Sequence, residues 1–246
     1  MRRLALLGLF AVLACLAAGC TGDDEPTTTA GGGEQRAIAV YLVRDGKVAA
    51  VRRTVEADAE GLPDAALRSL ADGPTSDETD DGLTSEVASE APEVSVEDGT
   101  ATVQLAGDPS RLAAAQVVHT LTGLPGIRRV VVGDGQAVTR KAFEEEAPQI
   151  LIESPLDGDV VETPIRLRGT ANVFEATVSI EVRDAEGDLV LETFTTATSG
   201  TGTRGTFDTD LRLPGASGPL TITAFEASAE DGRPLHVVDV DVEASP

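Results

Sequence analysis

Tryptophan is absent from this chain of 246 residues, and tyrosine occurs once, as Tyr41. Aromatic residues amount to 3% against 41% apolar residues overall, so the cores have to be built from Val, Leu, Ile and Ala. The flat aromatic platforms that stack on sugar rings are correspondingly scarce. Lysine is nearly missing as well, with Lys47 and Lys141 the only two, and 19 Lys+Arg face 42 Asp+Glu for a formal charge of −23. That charge repels nucleic acid and anionic head groups, which excludes both as expected partners. The two cysteines, Cys15 and Cys20, both fall within the first 20 residues. Everything after them lacks the means for a disulfide, a zinc–thiolate site or a cysteine nucleophile.

The start of the chain explains that placement. Residues 1–20 read MRRLALLGLFAVLACLAAGC. Arg2 and Arg3 form a basic n-region, and Leu4 to Ala18 form an apolar stretch of signal-peptide length. It falls short of the roughly 20 apolar residues that cross a bilayer. The small residues Ala17, Ala18 and Gly19 then lead into Cys20, and the whole resembles a bacterial lipobox. The resemblance implies that residues 1–19 are a lipoprotein signal peptide, removed together with Cys15. Cys20 then becomes the lipidated first residue, and two acyl chains suffice for stable anchoring. The expected location is the extracytoplasmic face of the cell membrane. Without Arg2 and Arg3, 17 basic residues face 42 acidic ones, a formal charge of −25.

Residues 21–36, TGDDEPTTTAGGGEQR, have no apolar period, so the segment from Cys20 to residue 36 reads as a tether. Its 16 residues after the cysteine have a typical reach of roughly 20–25 Å. From 37 to 143 strands and helices mix. AIAVYLV and KVAAVRRTV flank an Asp45-Gly46 turn, and EVSVEDGTATVQLAG turns at Asp98-Gly99, giving two hairpins. LPDAALRSLADGP reads as a helix with Leu62, Ala66, Leu67 and Leu70 on one face, Pro63 in its first turn and Gly73 after its end. Residues 75–82, TSDETDDG, read as an acidic loop. DPSRLAAAQVVHTLTGLPG reads as a second helix capped by Asp108, with Ala114, Val117, Val118 and Leu121 as its buried stripe. IRRVVVGDGQAV reads as a strand, a turn and a short return strand. This is an α+β domain, a small sheet with two helices.

Residues 144–149, EEEAPQ, read as a charged linker. Over 150–246 the helical period vanishes, and about seven short segments alternate with Gly or Pro punctuation. Val178, Ile180 and Val182 alternate with polar neighbours, as do Phe207, Thr209, Leu211 and Leu213. Asp239 and Asp241 alternate with Val238, Val240 and Val242 and are expected to face solvent. The pattern predicts an all-β immunoglobulin-like sandwich.

Several stretches carry a resemblance to known families. LRSLADGP (Leu67 to Pro74), VEDGTATVQL (Val96 to Leu105) and VVHTLTGLPGIRRVVVGDG (Val117 to Gly135) resemble a GerMN domain of sporulation and spore-germination proteins. IESPLDGDVVETPIRLRGTANVFEATVSIEVRDAEG (Ile152 to Gly187) is similar to a Gmad-type immunoglobulin-like domain, with Asn172 to Ala176 and Gly205 to Phe207 carrying the match. Where GerMN members often have an Ile-Pro pair and a VDLS-like strand end, this chain has SEVASEAPE (Ser85 to Glu93) and VQLAG (Val103 to Gly107). The resemblance implies interaction rather than catalysis: a scaffold whose partner is an envelope protein, in a cell-envelope or sporulation-type system. Two alternatives stay open, a regulator of a membrane sensor kinase and a cell-wall glycan binder.

Candidate chemistry is thin. His119 and His236 are the only histidines and fall in different segments, so no metal pair or catalytic dyad is expected. Asp77, Glu78, Asp80 and Asp81 form one acidic group and Asp184, Glu186 and Asp188 another. Neither matches a calcium-binding EF-hand loop. No phosphate loop, nucleophile elbow or zinc helix motif occurs. The chain is therefore expected to be no enzyme, with no catalytic residue, no cofactor and no metal.

Overall fold

The computed structural model describes residues 34–88, 90 and 92–245. The signal peptide, Cys20 and most of the tether lie outside the described residues. Strand β1, Gln35–Arg44, pairs antiparallel with β2, Lys47–Glu56. Their turn residues Asp45 and Gly46 have φ values of 51° and 71°, the geometry that favours Asp-Gly between twisted strands. Helix α1, Leu62–Ala71, has Pro63 in its first turn and buries Leu62, Ala66, Leu67 and Leu70. Residues expected to form an acidic loop contain instead a short helix, α2, Ser76–Asp80. Its cause is a capping box: the Thr75 hydroxyl accepts from the Glu78 N–H, and the Glu78 carboxylate accepts from the Thr75 N–H at 2.8 Å.

Strands β3, Val94–Glu97, and β4, Thr100–Val103, turn at Asp98-Gly99. The long helix α3, Arg111–Thr122, crosses over to β5, Arg129–Val132, which lies parallel to β4. The cap of α3 is Ser110 rather than the expected Asp108, its side chain accepting from the Ala113 N–H at 3.0 Å. The return strand after β5 is a single bridge, Val130 to Val138. The expected small sheet is therefore split, with β1-β2 and β3-β4-β5 as separate sheets around α1 and α3.

Helix α3 substitutes for a missing strand neighbour. On its side away from β2, β1 has open backbone groups at Tyr41. The buried Thr120 hydroxyl accepts from the Tyr41 N–H at 3.1 Å, and the buried Gln116 amide donates to the Tyr41 carbonyl at 3.0 Å. Two residues on, Val43 exchanges both backbone bonds with Thr84 at 2.8 Å. Buried backbone groups need such partners, which accounts for two of the three polar side chains buried among the described residues, His119 being the third.

The second half has eight strands, one more than the seven read from the sequence: β6, Ile150–Ser154; β7, Asp159–Val161; β8, Ile165–Ala171; β9, Thr177–Asp184; β10, Leu189–Thr196; β11, Gly205–Leu211; β12, Gly218–Ala227; and β13, Pro234–Ala244. They form two sheets, β11-β8-β6 and β10-β9-β12-β13-β7. The added strand, β7, is three residues long and pairs parallel with the end of β13. Val178, Ile180 and Val182 point into the core between the sheets with Phe207 and Leu211, while Asp239 and Asp241 are exposed.

Strand β6 serves both cores. Successive side chains of a strand face opposite ways, and here Ile150 and Ile152 enter the sandwich core while Leu151 enters the core of the first half. The residues read as a charged linker are anchored too. A 3-10 stretch, Arg140–Glu146, buries Phe143 in the first core, Arg111 holds Glu146 at 2.7 Å, and Ala147 is buried.

Candidate functional site

The densest polar network lies where β6 joins the halves. Tyr41, on β1, donates its hydroxyl to Glu153 Oε1 at 3.1 Å, and Arg140 pairs with the same oxygen. The Arg140 guanidinium also donates to Thr122 Oγ1 and to the His119 carbonyl, each at 2.8 Å, and lies 5.1 Å from the centre of the Tyr41 ring. Burial first, then the Glu153 charge, pushes the Tyr41 hydroxyl above its ordinary range. Arg204, from the loop before β11, donates to the Pro148 carbonyl and to Thr170 Oγ1. On the neighbouring strands Arg52 pairs with Asp159 at 2.7 Å.

His119 completes the seam without joining the network. Its ring lies 5.1 Å from Tyr41, is 3% exposed, and neither ring nitrogen has a hydrogen-bond partner. Burial, then the charges of Arg140 and Arg204, hold it neutral down to about 3, against an ordinary 6.5. Below pH 6.5 the unfolded chain takes up a proton that the folded chain refuses. Stability is therefore complete above that value and is lost as the pH falls. Between pH 6.5 and about 5 this one group removes about 2 kcal/mol. His119→Leu should abolish that slope, as read from urea unfolding at the two pH values. A slope equal to that of the parent would place the titration elsewhere.

His236 stands apart from His119. It lies on β13 at φ 54°, with Nε2 3.8 Å from Glu226. The acidic groups also resolve separately. Glu78 grips Arg53 through both oxygens at 2.6 Å. Burial would raise its carboxyl, but Arg53 and the Thr75 N–H together hold it below the ordinary range. Asp184 accepts from the N–H groups of Glu186 and Asp188, closing its own turn. Among the described residues no three His, Cys, Asp or Glu side chains are grouped to hold a metal ion.

A groove of about 650 Å³ opens at the seam between β1, the end of α3 and the sandwich, lined by Arg36, Arg52, Arg168, Glu34, Glu153 and Asp159 among others. Three of each sign make it neutral on a strongly acidic chain. Its carboxylates serve as partners to arginines, Glu34 for Arg36, Glu153 for Arg140 and Asp159 for Arg52. The geometry is that of a lock between two halves, and its members are spread over residues 41 to 204 with no shared spacing that a sequence pattern would show.

Comparison with known proteins divides the chain at the same place. Residues 39–139 match the Germane family, described as sporulation and spore germination. Residues 149–233 match the Gmad2 family, an immunoglobulin-like domain of bacterial spore germination. Among solved structures the chain is similar to the tandem GerMN domains of the sporulation protein GerM from Bacillus subtilis, at 21% identity and a TM-score of 0.35, over 46% of this chain and 49% of that one. The chain thus spans about half of that structure. It is also similar to CopC from Methylosinus trichosporium OB3b, at 22% identity and a TM-score of 0.28, over 39% of this chain and 94% of that one. No curated protein matches the chain.

Proposed function

As a chain that joins a Germane segment to a Gmad2 immunoglobulin-like segment, this protein acts, we propose, as a non-catalytic interaction module in a cell-envelope or sporulation-type system, held at the outer membrane face by lipid on Cys20. The observation that carries the reading is the seam. Tyr41, Glu153 and Arg140 are spent on each other, as are Arg52 and Asp159, and β6 fixes the two halves as one body. Such a body presents surfaces at fixed spacing, which suits docking.

The Cys20 anchor rests on the basic, apolar and small-residue order of residues 2–20. Cys20→Ala should move nearly all of the protein from the membrane fraction of cells to the soluble fraction. Continued membrane association of that variant would remove the lipid anchor from the reading. Crosslinking the full chain in living cells, with Cys20→Ala alongside, then tests the interaction. One envelope protein enriched only with the anchored form supports the scaffold. Recovery of wall glycan with no protein would replace it with the glycan-binding alternative.

A further inference from the structure

The chain has six phenylalanines, five of them among the described residues, yet only Phe143 and Phe207 are buried. Phe194 is 67% exposed, and the pairing register shows where its ring stands. Phe194 on β10 and Phe225 on β12 both pair with Ser179 on β9. Their strand neighbours Ile180 and Ala224 point inward, so all three face outward. Across a bulge at Phe225, where Ala224 pairs with Val238 and Glu226 with Leu235, Val237 continues the line at 50% exposed. The row therefore crosses four strands, apolar on three of them with Ser179 of β9 between the two rings, a span of about 14 Å at roughly 4.8 Å per strand.

The next outward row, about 7 Å along the strands, is acidic. Glu192, Glu181, Thr223 and Asp239 are paired in sequence across the same four strands. Like charges opposite one another destabilise a sheet, and Glu192 stands directly opposite Glu181. Arg183 pairs with Glu181 at 2.7 Å, and the Thr223 hydroxyl donates to Asp239 at 2.7 Å. An aliphatic and aromatic line bordered by acids defines its complement. A second copy of the chain, or an anionic lipid surface, would bring like charge against these carboxylates.

We propose that this outer face of the β10-β9-β12-β13 sheet docks a basic, apolar segment of a partner protein, one whose Leu, Ile or Phe side chains cover Phe194, Phe225 and Val237 while its Lys or Arg side chains meet Glu192, Glu181 and Asp239. The inference rests on the interaction reading above and assigns that reading a surface and a partner chemistry. Both elements are needed: the apolar row supplies burial, and the acidic row supplies choice of partner and its orientation.

The test uses the full chain and a synthetic 12-residue peptide of alternating Lys and Leu, with a Glu-for-Lys version and anionic phospholipid vesicles as competitors. The Lys–Leu peptide should bind one to one, weakening with salt. Phe194→Ser and Glu192→Lys should each weaken it at least tenfold, whereas the same charge change at Glu97→Lys, in the first half, should leave it within about twofold. Unchanged melting temperatures keep the exposed-site variants interpretable. Equal binding of the Glu–Leu peptide, or an equal loss with Glu97→Lys, would overturn the proposal. So would vesicle binding, or a dimer, that Phe194→Ser abolishes. In cells, a partner that still co-purifies with Phe194→Ser would sink this surface while sparing the interaction reading. No partner with the unaltered chain would sink that reading instead.

Discussion

Gly169→Ala should lower stability by about 3 kcal/mol, a fall of roughly 6–12 °C in melting temperature for a chain of this size. Gly169 sits mid-strand in β8, opposite Ile152 of β6 on one side and Phe207 of β11 on the other. A Cβ there would lie 2.2 Å from the Leu151 carbonyl oxygen and 2.5 Å from Phe207 Cζ. The ring is buried and has no free volume to enter, because interiors are packed to crystal-like density. The carbonyl belongs to the strand that both cores share, so moving it disturbs Ile150 and Ile152 on one face and Leu151 on the other. The two clashes are separable. Phe207→Leu removes the ring but not the carbonyl, so the double variant should remain clearly less stable than Phe207→Leu alone. Thermal unfolding of the four forms checks this. A Gly169→Ala chain within about 1 kcal/mol of the parent would mean that β6 can shift, and that the seam is softer than its geometry implies.

What the sequence made legible, and what it hid, follows the range of the interactions. Both Asp-Gly turns were readable because the left-handed φ of Asp45, Gly46, Asp98 and Gly99 is a local demand that few residue pairs meet. The sandwich strands were readable because period-two burial is local too. The capping box at Thr75 and Glu78 was also written locally, but a run of four acids masked it as a solvated loop. Asp108 and Ser110 both suit a helix start, and only the chain path chose Ser110. Gln116 and Thr120 were invisible to a search for apolar stripes. Their role depends on open backbone groups of Tyr41, 75 and 79 residues away. The seam was hidden for the same reason: ILIES reads as a strand whichever core each side enters, and nothing near Glu153 announces Tyr41 or Arg140. The Phe194 row needed the register of four strands before its members could be placed side by side.

Leu151→Ala should be the most damaging single truncation at the seam, about 3–4 kcal/mol, because it removes buried methyl groups and leaves a cavity that two rigid cores cannot close. Leu151 is 4% exposed and is the one residue of β6 that enters the first core. The loss should therefore appear as uncoupling as well as destabilisation. The scarcity of aromatics supplies the probe: with no tryptophan and one tyrosine, intrinsic fluorescence reports Tyr41 at the seam alone, while far-ultraviolet circular dichroism reports both halves. In the parent chain, where one strand fills two cores, the two signals should change together in urea, as for a single cooperative unit. In Leu151→Ala the tyrosine signal should move first, at lower urea, with the sandwich unfolding later. Ile152→Ala truncates the same strand toward the other core and should instead let the circular dichroism change lead. Coincident transitions in all three chains would show that the halves are held together elsewhere, through Arg140 and Glu153 or through Arg52 and Asp159. The polar lock rather than the shared strand would then be what makes the chain one body.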